Sequence, residues 1–252
     1  MTLWLSRVRL SRSRDLAPLR SLLDPSTLHR GAKDQRENGR RTDAHHRLVW
    51  TLFADHDDRT RDFLWRDEGE GRFTLLSHRP PEPSLLFEAP EVKEFAPALE
   101  SGDSLAFTLR ANATRTVKVG ELAPNGKQKR RHIDLVMDRL HPLPGLRDLA
   151  EDEPAPRPQV RLKLAQAAAS DWLAGQGAGA GFAVEEVIVG DYSTAALPGH
   201  VGKRRGQPQY GILDLSGVIT VTDPAAFVAK LGQGFGRARA FGCGLMLLRR
   251  AG

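Results

Sequence analysis

The sequence has 252 residues, of which 40% are hydrophobic and 27% are charged. This composition excludes a wholly disordered chain and fits one large domain or two compact ones. A single cysteine, Cys243, excludes an intramolecular disulfide framework and a zinc site built from cysteines. No apolar run approaches the roughly 20 residues of a membrane helix, and Met1–Leu5 leads directly into arginines, unlike a signal peptide. We therefore expect a cytoplasmic protein that does not associate with membranes.

The charge is carried mainly by arginine. There are 37 basic and 31 acidic residues, which gives a net charge of +6 and a pI near 9.8, and 29 of the basic residues are arginines. Guanidinium groups form bidentate contacts with phosphate and stack on bases. The composition favours a polyanionic partner, although a GC-rich genome produces the same bias with no function attached.

The first 113 residues predict the order β-α-β-β-(α)-β. Residues 3–10 alternate apolar and polar side chains as a half-buried strand does. Residues 29–42 have almost no apolar content, and we interpret them as a mobile, exposed, basic loop. A helix is predicted from Asp43, with Thr42 or Asp43 as its cap. The remaining predicted elements are strands over 63–65, 72–76 and 104–109, and a short helix over 95–99.

The second half repeats this order after a connector. Residues 114–158 are first basic and then acidic and proline-rich, with a short helix predicted over 133–140. Residues 159–252 predict a helix over 160–173, a helix from Asp223, strands over 182–189, 212–221 and 244–249, and a basic hairpin over 197–206. The βαββαβ order is typical of ferredoxin-like and RNA-recognition domains. We therefore predict an α+β fold of two tandem ferredoxin-like domains, 1–113 and 159–252, with the first strand of the second domain unclear.

Two adjacent histidines on the predicted helix face different surroundings. At about 100° per residue, His45 falls within the apolar arc formed by Ala44, Leu48, Val49, Leu52 and Phe53. His46 falls just past the edge of that arc. The pattern predicts that His45 is packed or half-buried and that His46 lies at the edge of the apolar face.

The segment 232–244 carries five glycines and two arginines between a predicted helix and a predicted strand. Such a loop lets the backbone approach a phosphodiester closely and offers N–H donors. It is not a nucleotide-binding fingerprint, because it follows a helix and lacks the Lys-Ser/Thr of a P-loop. A tight packing turn is the alternative interpretation.

The segment 234–246, GFGRARAFGCGLM, resembles the carboxy-terminal glycine-rich loop of CRISPR repeat-processing endoribonucleases, and most closely that of the type I-E subtype, the CasE/Cse3 family. Further segments that resemble this family lie at 46–53, 61–65, 109–112 and 215–224. The resemblance covers most of the chain except residues 24–42 and 142–158.

The resemblance implies two tandem ferredoxin-like domains that bind the stem-loop of a CRISPR repeat RNA. It implies cleavage without metal or cofactor at the 3′ base of the stem, which leaves a 2′,3′-cyclic phosphate and a 5′-hydroxyl. It also implies that the protein stays on the mature crRNA as a Cascade subunit, next to other subunits such as the backbone protein.

The resemblance assigns the catalytic histidine to His46, through its spacing to Trp50, Phe53 and Trp65. A histidine near its ordinary pKa of about 6.5 suits proton transfer at neutral pH. His45 and His29 are the weaker candidates. Some family members carry a tyrosine three residues before the histidine, where this sequence has Asp43. The general acid therefore stays open between His45, a basic residue of the 29–42 loop, and the RNA itself with water.

The resemblance also assigns RNA contacts to Lys203, Arg204 and Arg205, in a hairpin that docks against the repeat stem. The other predicted RNA-binding residues are Arg110, Lys118, Lys127, Lys129, Arg130, Arg131, Gly234, Gly236, Arg237, Arg239 and Gly242. One alternative is a subunit that holds the crRNA hairpin without cutting it, and a more remote one is a module that binds double-stranded DNA.

Overall fold

The computed structural model describes residues 2–16, 35–56, 59–122, 126–140, 156–197 and 209–251. The elements in chain order are β1 (Trp4–Arg9), α1 (Gln35–Trp50), β2 (Phe63–Gly69), β3 (Arg72–Ser77), β4 (Glu91–Glu94), β5 (Ser104–Ala111), β6 (Thr114–Leu122), β7 (Gln128–Asp134), α2 (Leu135–Leu140), α3 (Pro156–Ala178), β8 (Phe182–Ala196), β9 (Gln209–Val221), α4 (Pro224–Gln233), a 3-10 turn (Arg239–Phe241) and β10 (Met246–Arg250). Among these helices, none combines the length and the apolar character needed to cross a membrane.

The first sheet has the antiparallel order β2-β3-β1-β4. With α1 between β1 and β2, this is the split βαβ arrangement of a ferredoxin-like unit. Its fourth strand is Glu91–Glu94. The sequence predicts residues 104–109 as this fourth strand, and they lie further along the chain. The helix predicted over 95–99 is wrong, since residues 95–100 form neither a helix nor a strand.

The second sheet has the order β10-β5-β9-β8, which is again ferredoxin-like. The strand predicted over 104–109 exists, but it pairs with β9 and β10 and not with the first sheet. The alternation of Leu105, Phe107 and Leu109 predicts a strand with one buried face, but it carries no information about which sheet the strand joins. β5 is therefore the unclear first strand of the second unit, and we propose that the boundary lies between β4 and β5 and not at residue 113.

Strands β2 and β3 of the first sheet are buried on both faces over residues 63–65 and 73–77. One face packs under α1, where Val49, Phe53 and Trp65 belong to one apolar core. Leu64 and Leu76 point the other way and join the larger core of the second unit. The sheet is thus a middle layer, which explains why β2 and β3 contain continuous apolar runs without alternation.

Helix α1 begins eight residues earlier than predicted, so the prediction of a loop over 29–42 is wrong for residues 35–42. Arginine, glutamine and glutamate are good helix formers, and a lack of apolar residues does not end a helix. Gly39 is buried, and a Cβ at this position would overlap the carbonyl oxygen of Ala196. The first turns of α1 therefore lie against the end of β8, a tertiary contact that the periodicity of the sequence does not contain. Residues 29–34, including His29, lie outside the described residues.

The connector contains regular structure. Strands β6 and β7 form an antiparallel hairpin, in which Thr114 pairs with Asp134 and Lys118 with Arg130. Helix α2 follows directly, in agreement with the prediction over 133–140. No strand was predicted between residues 114 and 134, although Thr, Val and Ile recur between the charges there and favour a strand pair.

Candidate active site

His46 lies on α1 with its ring among three aromatic rings. The Trp65 ring is nearly parallel to it, at an interplanar angle of 13° and a centroid distance of 6.4 Å. The rings of Trp50 and Phe63 each lie 6.3 Å from it. Neighbouring helix and strand residues therefore fix the orientation of the imidazole before any ligand binds.

Its surroundings favour the neutral imidazole. The Nε2 atom is shielded from solvent and has no hydrogen-bond partner among the described residues. Burial lowers the pKa of His46, the nearby Arg61 and Arg47 lower it further, and Asp43 opposes them. At neutral pH the ring is therefore uncharged and is ready to accept a proton.

His45 is buried, with 2% of its surface exposed. Its Nδ1 lies 3.2 Å from Oδ2 of Asp67 on β2, and its ring packs edge-on against Phe73 at 5.1 Å. Burial raises the pKa of Asp67, but His45 and the Gly69 N–H outweigh that effect, so the net pKa is lowered. This pair ties α1 to the sheet, in agreement with the predicted packed position of His45.

The glycine-rich loop, residues 232–244, is closed on itself and on the end of β5. The Phe235 N–H donates to the Gly244 carbonyl at 3.0 Å, the Gly244 N–H to Arg110 at 2.7 Å, and the Arg237 N–H to Asn112 at 3.2 Å. Positive φ angles occur in this loop at Gly234, Gly236, Gly242 and Gly244. At Gly236, a Cβ would also lie 2.6 Å from the Asn112 carbonyl oxygen, so only glycine fits.

These internal bonds change the interpretation of the loop. The N–H groups of residues 234, 235, 237, 241, 243 and 244 all donate within the protein. The Gly234 N–H is therefore used within the fold, whereas no such bond is described for the N–H groups of Gly236 and Gly242. Arg237 is exposed, while the half-buried Arg239 donates to the carbonyl oxygens of Gln233 at 2.5 Å and Gly236 at 3.3 Å.

Trp65 connects the loop to His46. Its Nε1 donates to the Ala240 carbonyl at 3.3 Å, and its ring lies under Gly242, where an added Cβ would be 3.5 Å away. The other end of the 3-10 turn is covered by Tyr210, whose ring stacks on Phe241 at 5.2 Å. Burial raises the pKa of Tyr210, so its hydroxyl stays protonated. Sequence reasoning missed Tyr210, because its stacking on Phe241 comes from the tertiary fold.

Arg110 is engaged inside the protein. It faces Asp214 across β5 and β9, and its Nε and Nη2 donate to the two carboxylate oxygens at 2.8 Å each. These bonds raise the pKa of Arg110, whereas burial opposes the rise. The structure thus gives Arg110, a predicted RNA-binding residue, a carboxylate partner within the fold.

Five of the predicted RNA-binding residues are exposed on the β6–β7 hairpin: Lys118, Lys127, Lys129, Arg130 and Arg131. Facing residues in an antiparallel pair share a side of the sheet, so Lys118 and Arg130 lie on the same side as His132, which bonds Thr116 at 3.0 Å. Burial, Arg237 and Arg130 lower the pKa of His132. Arg237 is therefore close enough to this side of the hairpin for its charge to act on His132.

Lys203, Arg204 and Arg205 lie outside the described residues. Among the residues that are described, no group of three or more His, Cys, Asp or Glu side chains has the arrangement of a metal site. Arg61, whose charge acts on His46, and Lys230, which lies over the ring of Phe235 in the loop, were not predicted as site residues. No signal in the sequence distinguishes Arg61 from the other arginines, since its position depends on the tertiary fold.

Residues 3–250 match the profile of a family described as CRISPR associated protein. The chain is 26% identical over 210 residues to the CRISPR system Cascade subunit CasE of Escherichia coli K12, a match that covers 81% of this chain and 89% of that protein. The crystal structure of Cas6e from E. coli K-12 is similar with a TM-score of 0.57 and 23% identity, over 98% of this chain and 100% of the other. The structure of Thermus thermophilus Cse3 bound to an RNA representing a pre-cleavage complex is similar with a TM-score of 0.58 and 21% identity. That match covers 99% of this chain and 100% of the other. These likenesses confirm the predicted α+β fold of tandem ferredoxin-like units.

Proposed function

The chain belongs to the CRISPR associated protein family, whose CasE/Cse3 members it resembles, and on that premise we propose that it is an endoribonuclease for CRISPR precursor RNA. In this proposal it cuts at the 3′ base of the repeat stem-loop without a metal ion. It then stays bound to the mature crRNA as a Cascade subunit.

One observation supports the proposal. His46, a neutral histidine surrounded by aromatic rings, lies beside the glycine-rich loop with its arginines. The His46 ring is stacked on Trp65, and Trp65 is hydrogen-bonded to the loop at Ala240. Cleavage of RNA through its own 2′-hydroxyl requires a base near that hydroxyl and positive charge near the phosphate. The site supplies the base in His46 and the charge in the arginines of the loop.

In the proposed step, the 2′-oxygen bonds to the adjacent phosphorus and the bond from phosphorus to the 5′-oxygen breaks. His46 takes the proton from the 2′-hydroxyl, and the 5′-oxygen gains a proton and leaves as a hydroxyl. The products are a 2′,3′-cyclic phosphate and a 5′-hydroxyl. His45 is paired with Asp67 in the interior and so does not reach the 5′-oxygen. We assign that proton to a basic residue of the 29–42 segment or to the RNA itself with water.

The RNA contacts of this proposal fall on the basic surface formed by Lys118, Arg130 and His132 with Arg237. A-form RNA has a major groove too narrow for routine reading of the bases, so phosphate contacts near the end of the stem are expected. Lys203, Arg204 and Arg205 stay in the proposal on the resemblance alone. The affinity for RNA is then expected to fall steeply as salt concentration rises.

A second candidate function is a subunit that holds the crRNA hairpin without cutting it. The observation that favours it is Asp43, which stands where the resemblance implies a tyrosine in some relatives. Its carboxylate is paired with Arg47 at 3.1 Å and supplies no hydroxyl to the site. The two functions differ in cleavage but not in binding.

The test is incubation of the purified protein with its repeat RNA in EDTA. The enzyme proposal expects two fragments, with a 2′,3′-cyclic phosphate detected by mass spectrometry on the upstream one. His46→Ala is expected to abolish the cut and to preserve binding, because the imidazole makes no described contact with the basic hairpin. A matched RNA with a 2′-deoxy nucleotide at the cut site should bind and stay intact.

Uncut RNA that nevertheless binds tightly to the wild-type protein would refute the enzyme proposal and support the second candidate. Cleavage at an unchanged rate by His46→Ala would refute the role of His46 alone. Duplex DNA that competes as well as the repeat hairpin would contradict both candidates.

A further inference from the structure

Asn112 lies between the end of β5 and the start of the β6–β7 hairpin, and it is buried, with 4% of its surface exposed. Its side-chain Nδ2 donates to the Gly211 carbonyl on β9 at 2.7 Å. Its backbone carbonyl accepts the Arg237 N–H of the glycine-rich loop at 3.2 Å. One buried residue therefore joins three parts of the protein: the second sheet, the glycine-rich loop and the β6–β7 hairpin, which begins two residues later.

The other strand of the hairpin is fixed at the same level by Asp134, which faces Thr114 at the base of the strand pair. Asp134 Oδ1 accepts the hydroxyl of the buried Tyr192 at 3.0 Å. The same oxygen accepts the N–H groups of Val136 and Met137 at 3.0 Å each, and so caps α2. Both strands of the hairpin are therefore tied to the second sheet by polar side chains at their base.

The two anchors meet at Gly211. Asn112 binds its carbonyl, and a Cβ added to Gly211 would overlap Asp134 Oδ2 and lie 2.9 Å from the Tyr192 ring. The preceding residue, Tyr210, stacks on Phe241 of the glycine-rich loop at 5.2 Å. The base of the hairpin and the loop are thus packed against the same two residues of β9, which leaves little space for one to move relative to the other.

This packing fixes the distance between two groups of basic side chains. Lys118 and Arg130 extend from the hairpin, and Arg237 extends from the loop that Trp65 connects to His46. An RNA held by a hairpin in one orientation presents one phosphodiester to His46, whereas a hairpin that can swing presents several. Reactive geometry depends on such positioning, and it is supplied by residues that are themselves locked by packing and hydrogen bonds.

We propose that Asn112 is a positioning residue that fixes the β6–β7 hairpin relative to the glycine-rich loop and so selects which phosphodiester reaches His46. This inference rests on the proposed function for the reaction itself. Asn112 acts through the hairpin and the loop, because its own side chain is buried and bonded within the fold.

The first test compares Asn112→Ala with Gln166→Ala. The Gln166 amide on α3 donates to the Val187 carbonyl at 2.5 Å and accepts the Val189 N–H at 3.0 Å. Both variants therefore lose bonds between a side-chain amide and a strand, and both lose some stability. Only Asn112 contacts the hairpin base and the loop, so Gln166→Ala controls for destabilisation.

The readout is the position of the cut in repeat RNA, mapped at nucleotide resolution under single-turnover conditions. The wild-type protein and Gln166→Ala are expected to cut one bond. Asn112→Ala is expected to cut that bond about 100-fold more slowly, since a misplacement of about 1 Å has this effect, and to cut neighbouring bonds as well. A loss of folded protein lowers the amount of product but does not move the cut. Asn112→Ala that cuts only the original bond, or Gln166→Ala that cuts the same new bonds, would overturn the role of Asn112.

The second test needs no cleavage and follows backbone hydrogen exchange by mass spectrometry in the protein without RNA. Exchange over 114–134 and 232–244 is expected to be faster in Asn112→Ala than in the wild type, and unchanged in Gln166→Ala. If Asn112→Ala does not fold, Tyr192→Phe replaces it in both tests, because it removes only the hydroxyl that binds Asp134. New cuts and faster exchange over 114–134 are then expected. Unchanged exchange over 114–134 in the variant that folds would overturn the anchor.

The two tests separate this inference from the proposed function. A wild-type protein that leaves RNA uncut, with faster exchange of the hairpin and the loop in Asn112→Ala, would refute the proposed function and leave the anchor intact. A wild-type protein that cuts RNA, with an unmoved cut in Asn112→Ala, would refute the positioning role and leave the proposed function intact.

Discussion

Replacing Arg110 by methionine tests whether its guanidinium serves the fold or the RNA. Sequence reasoning placed Arg110 among the RNA-binding residues, whereas the structure pairs it with Asp214 through two bonds of 2.8 Å. Methionine keeps much of the apolar part of the arginine side chain and removes only its guanidinium group. The substitution therefore isolates the ion pair.

The expected loss of stability follows from the geometry. Hydrogen bonds to charged groups contribute about 1.5–3 kcal/mol each when buried. The side chains of Arg110 and Asp214 are 36% and 32% exposed, so solvent screens the pair and rehydrates the carboxylate that is left. We therefore expect the free energy of unfolding to fall by about 2 kcal/mol in total, and the Kd for the repeat RNA to stay within about twofold.

The assay is urea unfolding of four proteins: wild type, Arg110→Met, Asp214→Asn and the double variant. The coupling between the two sites should be about 1–2 kcal/mol, because each single variant already removes the shared bonds. Arg130→Met on the exposed hairpin is the matched control, with weaker RNA binding and unchanged unfolding. An unchanged unfolding free energy in Arg110→Met, together with a large loss of RNA affinity, would refute the structural role.

Two further predictions concern titration. Because the pKa of His46 is lowered from 6.5, more than half of the free protein is still in the basic form at pH 6.5; the second-order rate constant of cleavage should therefore fall less than about twofold between pH 7.5 and 6.5. A rate that rises on acidification would contradict the role of His46 as a base. Burial raises the pKa of the Cys243 thiol to about 12, so an aromatic disulfide reagent at pH 8 should label it only after unfolding in urea. Rapid labelling of the native protein would contradict the packing of the glycine-rich loop.

The features that follow local patterns were predictable from the sequence. The helical wheel separates His45, which is buried, from His46, which borders the site. The glycine spacing at 234–244 predicts a tight loop, and Asp223 caps α4 by accepting the Ala226 N–H at 3.0 Å.

The features that depend on tertiary contact were not predictable. Residues 104–111 alternate in the same way whether they join the first sheet or the second. The first turns of α1 lack apolar residues, and the close approach of Gly39 to Ala196 holds them against β8. Arg61 acts on the pKa of His46 because the tertiary fold brings the two residues close together. In each case the structure depends on contacts between residues that are far apart in the sequence. The periodicity of the sequence does not predict such contacts.

The hydrogen bond from Trp65 to Ala240 joins residues that are 175 positions apart in the chain. Contacts of such long sequence separation form late in folding, because closing a long loop costs entropy before the contact compensates for it. A chain that has folded only through the first sheet would therefore carry His46 with neither the glycine-rich loop nor its arginines beside it. Under the proposed function, RNA cleavage would therefore begin only when both units of the chain have folded.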